Sequence, residues 1–284
     1  MKELTMLARA KINLSLDVVG KRSDGYHDIE SIMQMVDFGD EITVVHTDTP
    51  GIIVESNIPG LPTDDGNIAY RAAKLMQEHF NLSGGFTIRL NKKIPVAAGL
   101  SGGSTNAAAV MHLINRLCDL GLSFEELAEL GVTLGADVPF CLYGKPALCE
   151  GIGEKLTPVE GLFGCYVVLV NPGVGVSTAM IYKALDGENP PKGGNVGALI
   201  EKLSEGNLPA AFKEMKNVME PVAMEHCPAI GKLLAKLKDA GADHVMMSGS
   251  GATCFGVFTK EPKLSELEKL FGKDLVAIAK PINM

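Results

Sequence analysis

The sequence predicts a protein that mixes helices and strands and is built in two parts. Three observations carry this. Apolar residues make up 46% of the 284, ample for a sizeable core, and the chain is rich in glycine and alanine. A strand-like segment at 86–90 passes through a glycine-rich loop directly into an alanine-rich helical segment, roughly 104–117. Beyond a break near Pro158–Leu162 the pattern reads β–α–α–β–β–α–β. The expected domains are therefore residues 1–160 and 161–284.

Taken in order, residues 5–19 alternate as a strand. Ile12, Leu14, Leu16 and Val18 share one face, and Lys11, Asn13, Ser15 and Asp17 the other. Gly20-Lys21-Arg22-Ser23-Asp24-Gly25 is a turn-rich loop, and strands are expected at 29–36, 40–46 and 51–55. Asp65-Gly66-Asn67 opens a helix over 67–80, whose apolar stripe is Ile68, Ala72, Leu75 and Phe80. Ser123 caps a helix over 124–130, with Glu126 completing a capping box, and Gly135 to Phe140 then breaks the regularity. In the second part a buried strand is expected at 164–171, a helix from 177 and a surface loop at 188–194. Helical segments follow near 195–204, 207–218 and 228–240, the last closed by Gly241. Strands at 245–247 and 254–258 flank Ser248-Gly249-Ser250-Gly251, and a helix near 262–271 and a strand at 275–279 complete the chain.

Composition narrows the classes of function. The formal charge is -8, with lysine and arginine spread along the chain, which argues against a nucleic-acid footprint. A small phosphorylated ligand remains compatible, because a few local cations and amides can hold it. The six cysteines, at 118, 141, 149, 165, 227 and 254, form no Cys-x-x-Cys pair and read as reduced thiols of a cytoplasmic protein. No run approaches a membrane span, and the amino terminus lacks the apolar core of a signal peptide, so no membrane partner is expected. The six histidines show no zinc-ligand spacing.

The chemistry centres on Ile94-Pro95-Val96-Ala97-Ala98-Gly99-Leu100-Ser101-Gly102-Gly103-Ser104-Thr105. Glycines and short hydroxyl side chains let backbone N–H groups converge on one point, and the following helix adds its positive end there. This is a cradle for an anion, although it matches neither the usual P-loop nor the dinucleotide fingerprint. Lys11 and Asn13, two residues apart on one strand face, can hold a reacting hydroxyl and stabilise charge on phosphate, or simply share a half-exposed face. Asp137, a carboxylate in an apolar turn, is either a helix cap or a general base. Tyr26 and His27 suit stacking and hydrogen bonding to a nucleobase, or a sheet edge. Lys92 and Lys93 either pair with phosphate or are solvated; Asn67 either caps its helix or reads adenine. The turn at 248–253 is either a tight hairpin or a second ligand loop.

Together these blocks resemble the GHMP kinase superfamily: Ala10-Lys11-Ile12-Asn13-Leu14-Ser15-Leu16 through Gly25-Tyr26-His27 to Ser31, then Pro95 to Ala108, then Ser248 to Phe255, with Gly135 to Phe140 as a further local match. The resemblance implies an α+β fold of two domains, the first like part of a ribosomal protein and the second ferredoxin-like. It also implies transfer of the ATP γ-phosphoryl group to the 2-hydroxyl of a cytidine-diphosphate-linked methylerythritol, a reaction of isoprenoid precursor synthesis. In that frame Lys11 and Asp137 are catalytic. Asn13, Tyr26, His27, Ser177 and Thr178 bind the substrate, Tyr26 and His27 as its cytidine-recognition pair. Asn67, Lys92, Pro95, Ala97, Ala98, Gly99, Leu100, Ser101, Gly102, Gly103, Ser104 and Thr105 bind ATP. Mg²⁺ is implied, with no dedicated carboxylate assigned to it and Ser104 or Thr105 nearby. Ala97 and Ser101 stand where relatives usually have glycine, and Asn106 where many have aspartate. The alternatives are a superfamily kinase acting on mevalonate or homoserine, which have no base for Tyr26 and His27 to read, or a nonenzymatic nucleotide-binding protein, which needs no pairing of Lys11 with Asp137. Oligomeric state is open, with a monomer favoured over a homodimer.

Overall fold

The computed structural model describes residues 2–187 and 191–282, so the first part of the expected loop at 188–194 lies outside the described residues. The alternating amino-terminal segment forms β1 (Lys2–Asn13) and β2 (Asp17–Lys21) rather than one strand. The chain leaves the sheet at Leu16, whose N–H donates to the Lys216 carbonyl at 2.9 Å and whose carbonyl accepts from Val218 at 3.0 Å. A long-range pairing therefore overrides local alternation. Conversely, the two strands expected at 29–36 and 40–46 are one, β3 (His27–Thr47). Gly39 does not break it. It marks a close crossing, where a Cβ would lie 2.4 Å from the Ala8 carbonyl oxygen.

There follow β4 (Gly51–Ser56), α1 (Ile68–His79), β5 (Gly85–Asn91), α2 (Gly102–Leu117), α3 (Phe124–Gly131) and α4 (Val138–Tyr143). Next come β6 (Ala147–Gly151) and β7 (Lys155–Pro158), two short strands that the sequence pattern did not reveal. The first sheet runs β4-β5-β3-β6-β7, with β1 and β2 also pairing β3. β3 is antiparallel to β5 from Glu41↔Asn91 to Thr47↔Gly85, and to β6 from Ile29↔Gly151 to Met33↔Ala147. β4 and β5 are parallel. Phe86, Ile88 and Leu90 alternate inward from β5, and Ala107 to Met111, all buried, show that α2 is enclosed on every face along this stretch.

The remaining elements are β8 (Tyr166–Asn171), α5 (Thr178–Leu185), α6 (Val196–Ser204), α7 (Leu208–Glu214), α8 (Met219–His226), α9 (Ala229–Asp239), β9 (His244–Met247), β10 (Cys254–Phe258), α10 (Leu264–Phe271) and β11 (Leu275–Ala279). The segment expected as one helix at 207–218 ends after α7, because Met215 turns to extended backbone at ψ 123°. The second sheet has the order β11-β8-β10-β9, all antiparallel. This is the ferredoxin-like arrangement, with additional helices between its first two strands.

By its internal contacts the chain divides into two compact units. One holds residues 1–10, 39–94 and 101–143; the other holds 11–38, 95–100 and 144–284. Among the described residues no helix is long and apolar enough to cross a membrane.

Candidate active site

In the first unit, α2 begins two residues earlier than the sequence suggests, at Gly102. The approach to it alternates through left-handed backbone: Ala97, Gly99 and Ser101 have φ of 53°, 77° and 54°. Ala97 and Ser101 adopt this conformation without being glycine, which costs roughly 1 kcal/mol each. Such strain persists where surrounding structure demands it. Ser101 is the N-cap, yet its side chain makes no hydrogen bond to the helix. Its Oγ donates to the Asp137 carboxylate instead. The amides of the first turn, at Gly102, Gly103 and Ser104, are thereby left for an outside acceptor, and the helix dipole favours an anion there.

Below that turn lies a buried charged network. Lys92 donates from Nζ to Asp40, forming an ion pair whose two side chains are 5% and 0% exposed. Lys92 also donates to Asn106 Oδ1 at 2.8 Å, and Asn106 Nδ2 donates back to Asp40 Oδ2 at 2.8 Å. The other oxygen of Asp40 accepts from the amides of Lys93 and Ile94 at 2.6 and 2.8 Å. Lys92 thus sits among protein partners, while Lys93 is exposed. Asn106 serves as donor and acceptor at once, which aspartate at this position, a second carboxylate beside Asp40, does not. Asp40 escaped the sequence reading, although a lysine beside a buried loop signals that a carboxylate must be found for it. Asn67 caps α1, accepting from Ala69 at 3.0 Å and donating to the Pro62 carbonyl at 2.8 Å.

In the second unit, Lys11 and Asn13 are brought together as their spacing predicts, and both are buried. Lys11 Nζ donates to Asn13 Oδ1 at 2.7 Å, and Asn13 Nδ2 donates to Ser31 Oγ at 2.8 Å. Ser31 in turn donates to the Ser15 carbonyl at 2.5 Å. The chain from Lys11 to Ser15 fixes the ammonium group through side chains of two neighbouring strands.

The His27 ring stacks on Tyr182 with centroids 4.7 Å apart and planes at 18°. Its Nε2 lies 2.7 Å from Asp186 Oδ1. Asp186 Oδ2 accepts from Lys21 Nζ at 2.5 Å. Lys21, and after it His27, hold the Asp186 carboxyl below the ordinary carboxylate range, so Nε2 is the donor in that contact. Tyr26, by contrast, is 58% exposed. The preceding loop is fastened by Arg22, which pairs with Asp24 at 2.9 Å and Asp28 at 3.1 Å. Sequence reasoning missed Tyr182 and Asp186, which come from α5 and its C-cap. Ser177 is the N-cap of α5, accepting from Met180. Thr178 Oγ1 lies 2.7 Å from Ser250 Oγ.

The turn at 248–251 packs on the glycine loop within this unit. Ser248 Oγ donates to the Gly99 carbonyl at 2.9 Å, and the Thr253 amide to that of Ala98 at 3.3 Å. Asn217 holds the turn from behind, donating to the carbonyls of Met247 and Gly249 at 2.8 Å each. Glu220 accepts from the Met247 amide at 2.8 Å, and burial raises its carboxyl above the ordinary range.

The family profiles described as GHMP kinases N terminal domain and GHMP kinases C terminal match residues 67–145 and 199–273. A 4-diphosphocytidyl-2-C-methyl-D-erythritol kinase of Alkaliphilus metalliredigens is 45% identical over 258 residues, covering 91% of this chain and 89% of the relative. The protein of the same name from Citrifermentans bemidjiense is 47% identical over 261 residues, covering 92% and 91%. A crystal structure of 4-(cytidine 5'-diphospho)-2C-methyl-D-erythritol kinase superposes with a TM-score of 0.79 at 31% identity, covering 98% of this chain and 99% of that one. The chain belongs to the GHMP kinases and, within them, to the 4-diphosphocytidyl-2-C-methyl-D-erythritol kinase family.

Proposed function

We propose that this chain transfers the γ-phosphoryl group of ATP to the 2-hydroxyl of 4-diphosphocytidyl-2-C-methyl-D-erythritol. The products are the 2-phosphate and ADP, and the reaction runs in the cytoplasm as a step of the non-mevalonate isoprenoid route. The acceptor follows the relatives' names. The observation that carries the chemistry is the contact of Ser101 with Asp137 at the head of α2. It directs the cap hydroxyl away from the helix amides and sets a carboxylate beside an anion-binding helix end.

In this reading the amides of Gly102, Gly103 and Ser104 hold the phosphate oxygens, with Pro95 to Leu100 shaping the loop before them. Asp137 orients the acceptor hydroxyl and takes its proton as the new bond forms between that oxygen and the γ-phosphorus. The bond from the γ-phosphorus to the β–γ bridging oxygen breaks, and the electron pair leaves with ADP. Lys11, kept in place by Asn13, stabilises the charge spread over the transferring group. Asn67 and Lys92 belong to the adenosine side; because Asn67 caps a helix and Lys92 binds Asp40, their contribution is to the frame that holds the nucleotide as well as to contact with it. His27 and Tyr26 take the cytidine end, with Ser177 and Thr178 on the substrate side. For Mg²⁺ the fit is to oxygen donors: the half-buried Ser104 hydroxyl at the helix head suits a cation that keeps water and phosphate oxygens as its main ligands. Bound there, the ion neutralises phosphate charge.

The test is ATP-to-ADP turnover with purified protein and Mg²⁺, offered the cytidylyl acceptor, methylerythritol phosphate, mevalonate and homoserine in turn. Turnover confined to the cytidylyl acceptor, falling about 10²- to 10⁴-fold in kcat for Asp137→Asn, is the expected outcome. Turnover with mevalonate or homoserine instead overturns the acceptor assignment. An Asp137→Asn protein of undiminished kcat overturns the role of Asp137.

A further inference from the structure

Four side chains from three elements meet at His27: Lys21 from β2, Tyr182 from α5 with Asp186 at its end, and His27 itself opening β3. Stacking on Tyr182 fixes the plane of the imidazole ring, and the bond to Asp186 fixes its rotation within that plane. The ring is thereby held before any ligand arrives, and a group held in advance loses less freedom on binding. Lys21 has a separate effect. An acceptor carrying a diphosphate is repelled by a bare carboxylate, and the Lys21 ammonium on Asp186 cancels that charge.

We infer that Asp186 is a positioning residue for the cytidine-linked acceptor, holding His27 and the loop at 20–27 against α5 while Lys21 masks its charge from the diphosphate. The inference rests on the acceptor reading above and goes beyond it, since Asp186 acts through His27 and Lys21 rather than by touching the reacting atoms. The Lys21–Asp186 pair is open to water, its side chains 57% and 26% exposed, whereas the His27 side chain is 8% exposed. Exposed ion pairs contribute little to stability. The Lys21 pair therefore adds little to folding, and a positioning role is told from a structural one by a rise in acceptor KM that outruns any change in the unfolding midpoint.

The experiment measures KM for the acceptor and for ATP separately in the full chain, in Asp186→Ala and in Asp186→Asn, with thermal unfolding recorded beside them. Loss of a charged hydrogen-bond partner is expected to raise the acceptor KM of Asp186→Ala about tenfold. The KM for ATP stays within about twofold and the unfolding midpoint is nearly unchanged. Asp186→Asn falls between, because its amide oxygen still accepts from His27 Nε2 but lacks the charge that Lys21 pairs with. An unmoved acceptor KM in both variants overturns the inference, and so does a parallel rise in both KM values with a lowered midpoint. A parent chain that does not phosphorylate the cytidylyl acceptor overturns the acceptor reading and the inference with it. An active parent with KM values unmoved by the substitutions overturns the inference alone.

Discussion

Two networks of nearly the same composition sit in very different surroundings. Asp40, Lys92 and Asn106 join an aspartate, a lysine and a neutral hydrogen-bonding side chain where the ion pair is almost wholly removed from water. Asp186 and Lys21 form such a pair, shared with the His27 ring, where the pair is open to it. In the buried network all of the Asp40 bonds run to one loop and one helix, and two of them are to backbone amides. That network is a frame. The open one ties side chains of three elements: its Lys21–Asp186 pair faces water, while His27 is held between Tyr182 and Asp186. The same chemistry thus supports the fold in one region and orients a single ring in the other, and solvent decides how much stability each ion pair adds.

The comparison breaks first at Asp40. Asp40→Asn leaves the Lys92 ammonium buried without its counter-charge and should lower unfolding free energy by about 3–5 kcal/mol, read from denaturant midpoints. A loss under about 1 kcal/mol would place the two networks in one class. Next in size is an acid effect that arises outside both. Burial, and after it the Lys238 charge, pushes His244 down to about 4 from 6.5. The unfolded chain therefore binds the proton more readily, and stability is full above about pH 6.5 and lost as pH falls toward about 4, by up to about 3 kcal/mol. His244→Phe should flatten that dependence between pH 7 and 5 while leaving the Asp40 effect in place. Lys21→Ala, the open counterpart of the first test, should change stability by less than about 1 kcal/mol. The smallest effect is of salt. Raising ionic strength from about 0.05 to 0.5 M should weaken acceptor binding by a few-fold through the exposed pair, with the Asp40 contribution to unfolding unmoved. Equal salt sensitivity of the two would erase the distinction.

What the sequence revealed follows the range of the forces involved. Asn67 and Ser123 were legible as caps because a cap is decided within three residues. Lys11 with Asn13 was legible because a strand repeats every two residues. The α2 loop was legible from its glycines, and Ser101 still takes the left-handed backbone that glycine favours. The break at Leu16 was hidden, because its cause is a partner at Lys216. Asp40 was hidden for the same reason, lying 52 residues from Lys92. Asp186 reads locally as the end of a helix, and the histidine that gives it meaning is 159 residues away. The strand β6 escaped because Ala147-Leu148-Cys149-Glu150-Gly151 has none of the β-branched or aromatic residues that advertise a strand.

Gly99 has a consequence for inheritance. A Cβ there would lie 2.1 Å from the Ser248 carbonyl oxygen, and its backbone is already at φ 77°. No other amino acid fits, so every missense change at this codon is expected to act as a null allele, whatever residue it introduces. Suppressors of such an allele should map to codons 248–251, about half the gene away, because that is where the obstructing peptide lies. Two short stretches of the chain, remote in the reading frame, are bound to change together or not at all.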